Sequence, residues 1–239
     1  MITATAIKER PILFSGSMVR AILDGRKTQT RRIMKPQPTA ESHDEYTKWC
    51  WPANDDAMKF AWAGQSPISD AVEGHCPYGT IGDRLWVRET WGKTRQCDDL
   101  NSTEGDVIAY RAGGTRVWNA NPASPKLMRF GANHYYDDPK PWKPSIHMPR
   151  WASRITLEIT SVRVEQLQQI SDQDALSEGI PVEPTTPGID HCIDGEWWPG
   201  RPVQHFRNLW QSINGDDSWG LNPWVWVVEF DAVEVLCEN

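Results

Sequence analysis

The hydrophobic pattern of the first forty residues predicts a strand, a helix and a second strand. Residues 12 to 14 are apolar and predict a short buried strand. Ser15 or Ser17 can cap a helix that Gly25 ends, and its apolar side carries Met18, Val19, Ile22 and Leu23. The β-branched alternation of residues 28 to 33 then predicts a strand, which stops before Pro36 and Pro38.

Three further strands are predicted later in the chain. Residues 84 to 91 alternate with period two, so that Leu85 and Val87 lie on one face and Trp86 and Arg88 on the other. A weaker pattern covers residues 106 to 111. The apolar phase of residues 154 to 164 shifts near Thr160, which predicts the kind of bulge that bends a strand around a barrel.

Two more helices and a last strand complete the predicted elements. Ser171 and Asp174 have the spacing of a capping box, which predicts a helix that ends at Glu178 and Gly179. A second helix is predicted by the helical spacing of Val203, Phe206, Leu209, Trp210 and Ile213. Residues 223 to 235 predict the closing strand.

The segments between these elements lack a clear period. Residues 35–82, 92–150 and 181–201 are rich in Pro, Gly and Trp, and we interpret them as long loop insertions, not as separate domains. Short strands, one of them curved, together with two to three short helices predict an α+β fold. We therefore expect residues 1–239 to form one domain, a small β-barrel with helical decoration.

Composition narrows the class of protein. The chain has 239 residues, a mean hydropathy of -0.59 and no apolar run of 18 residues, so we expect no membrane association. The net charge of -7 has the wrong sign for holding a long polynucleotide. Five cysteines without a CxxC pair, and an N-terminus unlike a signal peptide, predict a reduced, cytoplasmic location.

Donor spacing and tryptophan content add two expectations. His43, Cys50, His75, Cys76 and the neighbours His191 and Cys192 do not have the spacing of a structural zinc site, so we expect neither a metal nor another cofactor. The 14 tryptophans are unusually many. We expect those on predicted strands or the last helix to be core residues, and those in the insertions to anchor loops.

The turn after the first helix carries the most suggestive polar residues. Lys27 has Arg26, Arg31 and Arg32 nearby, and like charges should lower its pKa toward the range in which a neutral amine acts as a base. A threonine hydroxyl becomes a nucleophile only when such a base removes its proton. Strand alternation puts Thr28, Thr30 and Arg32 on one face, so Lys27 joins Thr30 only if it still lies in the turn.

A carboxylic acid that complements this base is predicted far along the chain. Glu178 ends the capped helix, where the negative end of the helix dipole favours a protonated, proton-donating carboxyl group. A lysine with a lowered pKa and a glutamate with a raised pKa form an acid/base pair. From the residues alone, an anion-binding or solvated basic turn and an exposed helix end remain open.

The turn also resembles a known family. Gly25 to Arg32 is similar to the G-x-K-x-x-[E/T]-x-R signature of the ASCH domains, small β-barrels of the PUA-like superfamily. Residues 82–87 and 224–230 resemble strands of that family. The threonine at the sixth place of the signature is similar to the bacterial N4-acetylcytidine amidohydrolases of the ASCH group.

The resemblance implies a function and roles for particular residues. It assigns Lys27 as proton acceptor, Thr30 as nucleophile and Glu178 as proton donor. The implied enzyme is a metal-independent hydrolase of a non-peptide C–N bond, and its partner is a small acylated cytosine nucleoside or base. We expect the substrate to be bound by Arg31, Arg32, Trp86 and Arg88, with backbone N–H groups of the turn, or Arg31 or Arg32, stabilising the oxyanion.

Three alternatives stay open at this stage. The barrel could be a binding module for RNA or for a modified base, with tryptophans stacking on unpaired nucleotides. It could be a ribonuclease of the ASCH type that uses Lys27, Arg32 and Glu178 for phosphate chemistry. It could also be a phage or prophage accessory protein with a pure interaction role, which no residue supports directly.

Overall fold

The computed structural model describes most of the predicted elements. The described residues are 7–42, 47–53, 56–62, 76–95, 106–118, 141–180, 190–193, 196–199 and 202–236. Among them are three α-helices: α1 is Gly16–Leu23, α2 is Asp172–Ser177 and α3 is Pro202–Asn214. None of the described helices is long and apolar enough to cross a membrane.

Five strands form the largest sheet. They are β1 (Glu9–Leu13), β2 (Gln29–Ile33), β6 (Arg84–Arg88), β10 (Ile155–Gln166) and β13 (Trp224–Val235). Their order is β1-β6-β10-β13-β2, so β2 is a terminal strand. It pairs antiparallel with β13, with Thr30 opposite Val228. The predicted α+β class is confirmed, and closure of the strands into a barrel stays a prediction.

The three segments predicted as loops contain several regular strands, so that part of the prediction is wrong, whereas the strand predicted within them at residues 106–111 is confirmed as Asp106–Tyr110. A three-stranded sheet consists of β3 (Thr39–Ser42), β4 (Thr47–Ala53) and β5 (Asp56–Trp62). A second is formed by β7 (Trp91–Arg95), β8 (Asp106–Tyr110) and β9 (Thr115–Trp118). A hairpin joins β11 (Asp190–Ile193) to β12 (Glu196–Pro199).

The reason for this error is visible in the sequence of β4 and β5. Trp49 and Trp51 alternate with polar or small residues, as do Met58, Phe60 and Trp62. In the antiparallel register Trp49 lies opposite Phe60, and Trp51 lies opposite Met58. The period-two signal was therefore present, and the surrounding Pro, Gly and Asp residues obscured it.

The chain divides into two compact units. Residues 24–84 and 158–231, with the N-terminal eight residues, form the first unit, and residues 9–23, 85–157 and 232–239 form the second. The core of the first unit lies between α2, α3 and the sheet, where Leu167, Phe206, Trp210, Val225 and Val227 pack together. In the second unit Trp91, Ile108, Tyr110, Met148 and Ala152 form a separate cluster.

Most predicted core positions are buried. Val19 and Ile22 of α1 are buried, and in β10 the buried positions change phase between Ile159 and Val162, as the predicted bulge requires. Two apolar residues are exceptions, because Leu13 and Ile213 are exposed. Of the tryptophans expected in the core, Trp86 is half-buried and the others are buried: Trp91, Trp210, Trp224 and Trp226.

Candidate active site

The backbone brings the predicted turn and the predicted helix end together. Gly25, at φ +71°, ends the helical segment, and a residue without a side chain adopts this conformation most easily. The chain then passes the end of α2, where the Thr28 N–H donates to the Ser177 carbonyl oxygen at 2.9 Å. Lys27 and Glu178 form an isolated antiparallel bridge just before β2 begins.

The side chains of this bridge form a buried ion pair. Lys27 Nζ donates to Glu178 Oε2 at 2.8 Å and to the Glu178 carbonyl oxygen at 2.8 Å. Lys27 is 2% exposed and Glu178 is 4% exposed. The local fold explains the position of Glu178, because Ser171 and Asp174 form the predicted capping box and Glu178 is the C-terminal cap of α2.

The amine also contacts the main chain just before the predicted nucleophile. Lys27 Nζ donates to the Gln29 carbonyl oxygen at 2.7 Å, and this carbonyl belongs to the peptide bond between Gln29 and Thr30. Thr30 itself is 3% exposed. The structure therefore brings Lys27 and Glu178 together beside the peptide bond that precedes Thr30, and the approach of the Thr30 hydroxyl to the amine stays a prediction.

Burial dominates the electrostatics of Lys27. The pKa of Lys27 is lowered mainly because burial disfavours the ammonium form, and Glu178 opposes this shift. The charges of Arg32 and Arg31 lower the pKa further. The predicted direction is confirmed, but the cause named from the sequence, like charge, is the smaller one.

Arg31 links this pair to a ring of charged side chains that sequence reasoning did not identify. Arg31 Nη1 lies 3.5 Å from Glu178 Oε1, and Arg31 Nη2 lies 3.0 Å from Glu165 Oε2 and 3.4 Å from Asp174 Oδ2. Arg163 binds the other oxygens of the same two carboxylates, Glu165 Oε1 at 2.5 Å and Asp174 Oδ1 at 3.0 Å. Two arginines thus share two carboxylates, which holds the guanidinium of Arg31 in place.

Two further contacts extend the ring. Arg163 Nη1 donates to Glu229 Oε1, and Arg163 Nη2 donates to Gln29 Oε1 at 3.3 Å. The only sequence signal for these residues was strand alternation, which puts Gln29 and Arg31 on one face of β2. Because β10, β13 and α2 are distant in sequence, their contributions were not predictable.

Several polar atoms of the cluster are buried without a hydrogen-bond partner among the described residues. They are Gln29 Nε2, Arg31 Nε, Arg31 Nη1 and Glu178 Oε1. The first three are donors and the last is an acceptor. Arg31 Nη1 and Glu178 Oε1 lie 3.5 Å apart as an ion pair, whereas Gln29 Nε2 and Arg31 Nε are donors without an acceptor. Leaving buried donors unmatched is costly, so the site is suited to a ligand that carries acceptor atoms.

The remaining predicted binding residues lie on β2 and β6. Arg32 is half-buried on β2 opposite Trp226, and its charge acts on Lys27 and on Tyr78, whose pKa is raised by burial. Trp86 and Arg88 belong to the second unit, where the Arg88 guanidinium lies 5.5 Å from the centre of the Trp86 ring. Their role as substrate contacts stays a prediction.

Groups of side chains that could bind a metal ion are described for part of the chain. Within the residues that the structure describes, no group of three or more His, Cys, Asp or Glu side chains could hold a metal ion. Of the donors considered in the sequence, the Cys76 side chain is described and is buried. His43, His75 and the side chains of Cys50, His191 and Cys192 lie outside the described part.

Chemically, the pair offers a base and an acid joined by one hydrogen bond. Transfer of the shared proton from Lys27 Nζ to Glu178 Oε2 would give a neutral amine and a neutral carboxylic acid. The amine could then take a proton from a hydroxyl, and the acid could give one to a leaving group.

Comparison with family models, curated proteins and solved structures gave no match for this chain.

Proposed function

We propose that this chain is a metal-independent amidohydrolase that removes the acyl group from N4-acylated cytosine nucleosides or bases. The proposal includes a PUA-like barrel of the ASCH type and a cytoplasmic location. One observation carries it: Lys27 and Glu178, distant in sequence, share a buried hydrogen bond of 2.8 Å beside the peptide that precedes Thr30. These are the three residues to which the resemblance assigns the roles of base, acid and nucleophile.

Acylation begins from the neutral form of the pair. The Lys27 amine takes the proton of the Thr30 hydroxyl, and Thr30 Oγ attacks the acyl carbon of the substrate. Arg31 Nη1, which lies 3.5 Å from Glu178 Oε1 and makes no hydrogen bond among the described residues, stabilises the oxyanion that develops. The Glu178 carboxyl gives its proton to N4, the C–N4 bond breaks, and the cytosine amine leaves. Lys27 is then an ammonium ion, Glu178 is a carboxylate and Thr30 carries the acyl ester.

Deacylation restores the starting state. Water attacks the ester carbonyl, and the Glu178 carboxylate accepts its proton. The C–Oγ bond breaks while the Lys27 ammonium returns a proton to Thr30 Oγ, and the carboxylic acid is released. The pair is again neutral, so every proton is accounted for. The lowered pKa of Lys27, caused chiefly by burial, supports this use of the amine as a base.

The direct test is incubation of the protein with N4-acetylcytidine and chromatographic detection of cytidine. We expect turnover by the unmodified chain and no turnover by Thr30→Val, which removes the nucleophilic hydroxyl and keeps the shape of the side chain. Glu178→Gln should lower kcat/KM by about 10²- to 10⁴-fold, because general acid catalysis is lost. An acyl ester that accumulates on Thr30 would be visible as a mass increase in the intact protein.

The chain offers a matched control for the threonine variant. Thr28 lies two residues before Thr30 and is exposed, and the described contacts are those of its backbone atoms, with Ser177 and Phe230. Thr28→Val therefore removes a hydroxyl from the same segment and should keep full activity. Full activity of Thr30→Val would refute the proposal. Salt-sensitive binding of unmodified RNA without any nucleoside turnover would favour the binding-module alternative.

A further inference from the structure

Gln29 is a buried polar residue that the proposed mechanism does not use. It lies on β2 between Lys27 and Arg31 and is 2% exposed. Its main-chain carbonyl oxygen accepts from Lys27 Nζ, as described above, so its backbone is fixed beside the amine. Its side-chain nitrogen, Nε2, has no hydrogen-bond partner among the described residues, although it is buried.

The orientation of the Gln29 amide is determined by its neighbour. Arg163 Nη2 lies 3.3 Å from Gln29 Oε1, and arginine has only donors. The oxygen of the amide must therefore face Arg163, and the NH₂ group must face away from it. Arg163 is itself held by Glu165, Asp174 and Glu229, so the direction of the unused donor is fixed by the whole ring.

A fixed, buried and unused NH₂ group is suited to bind an acceptor atom of a ligand. The Gln29 and Arg31 side chains lie on the same face of β2, and Arg31 Nη1 lies 3.5 Å from Glu178 Oε1, so the Gln29 amide and the Glu178 carboxyl group belong to the same face. A ligand whose amide nitrogen reaches Glu178 would therefore extend its neighbouring edge toward Gln29. In an N4-acylated cytosine that edge carries N3 and the 2-oxo oxygen, and both are acceptors.

We propose that the Gln29 side-chain amide recognises the 2-oxo edge of the pyrimidine and is a specificity-determining residue of the site. The inference rests on the proposed function and adds the group that selects the base. A neutral donor fits this task, because a buried amide left without its acceptor penalises ligands that lack one. Substrates with an acyl amide but without the 2-oxo group should be rejected.

The test compares N4-acetylcytosine with 4-acetamidopyrimidine, which has the same amide and lacks the 2-oxo group. We expect Gln29→Met, which is similar in length and has no donor, to lower kcat/KM on N4-acetylcytosine at least about tenfold more than on 4-acetamidopyrimidine. Using the ratio of the two substrates cancels the difference in their intrinsic reactivity and any general loss of folded protein. Gln29→Glu, which replaces the donor by an acceptor, should change the ratio further in the same direction.

Binding of cytosine, measured by isothermal titration calorimetry, separates this inference from the proposed function. An equal fall of kcat/KM on both substrates in Gln29→Met would overturn the role of Gln29 and leave the hydrolase standing. Cytosine that binds the unmodified chain at least tenfold more tightly than Gln29→Met, without hydrolysis of either substrate, would support the recognition role and refute the hydrolase. Absence of both binding and hydrolysis would overturn both.

Discussion

Replacing one partner of the Lys27–Glu178 pair should destabilise the fold strongly and by different amounts for the two partners. The Nζ···Oε2 distance is 2.8 Å, and the side chains are 0% and 4% exposed. With an effective dielectric constant of about 20, charges at this distance attract by about 6 kcal/mol, and the Arg31–Glu178 contact at 3.5 Å contributes about 5 kcal/mol. These are gross values, because the cost of burying the charges offsets most of each.

The net cost follows from what each variant leaves behind. Breaking a buried ion pair typically costs about 3–5 kcal/mol. Lys27→Met leaves the Glu178 carboxylate beside Arg31, so we expect the lower end of that range. Glu178→Gln removes the negative charge that faces both cations and should cost more, at the upper end. Since the double variant removes both members of the Lys27–Glu178 pair, its cost should be smaller than the sum by about 0.5–3 kcal/mol.

Urea unfolding at pH 7, followed by both tryptophan fluorescence and circular dichroism, measures these free energies. The chain contains a control with the same separation, since Arg26 Nη2 and Asp24 Oδ2 also lie 2.8 Å apart but with side chains 42% and 56% exposed. Asp24→Asn should cost at most about 1 kcal/mol. If the buried variants cost no more than this control, or if their costs simply add, the electrostatic reasoning is refuted.

Two further predictions concern the elements that hold the site. Gly25→Ala should destabilise the protein by about 1–2 kcal/mol in the same urea assay, because a residue with a side chain adopts φ +71° at a cost. A Cβ at Gly25 meets nothing within 4 Å, so no steric clash adds to this cost. An unchanged urea midpoint would contradict this prediction. Ser171→Ala should cost about 1 kcal/mol through loss of the helix cap, and it should also weaken the fall of stability in acid. Burial acts to raise the pKa of Asp174, but hydrogen bonds from Ser171 and the charges of Arg31 and Arg163 outweigh it and lower that pKa. Asp174 therefore stabilises the fold above pH 3.8, the ordinary pKa of its side chain, and this contribution is lost as the pH falls through the lowered value. If the unfolding free energy falls with acid identically in Ser171→Ala and in the unmodified chain, this cause is contradicted.

Local sequence signals predicted the elements that position the site. The capping box at Ser171 and the glycines at 25 and 179 describe short-range backbone geometry, and each is found where its pattern places it. Period-two alternation also placed β2 and β6 correctly. The same signal failed for β4, because alternation was given less weight there than the flanking Pro and Gly residues.

The charged ring around Arg31 had no comparable signal. Its members come from β2, β10, α2 and β13, and the contact between Arg31 and Glu165 spans 134 residues. Asp174 was recognised only as part of the helix cap, although the oxygen that binds Ser171 also faces Arg31 and its second oxygen faces Arg163. A carboxylate can serve two such roles because it has two oxygens, and one sequence gives no means of finding the second partner.

The end of β2 resolves a conflict between strand geometry and the proposed chemistry. Alternation puts Thr30 on the face of β2 opposite Gln29 and Arg31, which would separate the nucleophile from a base on that other face. Lys27 avoids this separation because it lies before the strand. Its amine binds the Gln29 main-chain carbonyl, which lies in the plane of the sheet and points outward from its edge, not to either face. The acyl carbon of the substrate must therefore lie at this edge, where Thr30 Oγ can reach it from one face and Arg31 Nη1 can reach its oxygen from the other. The proposed mechanism therefore requires that the Gln29 carbonyl stay unpaired on this side of β2, whether or not the strands close into a barrel, since a strand paired there would occupy it.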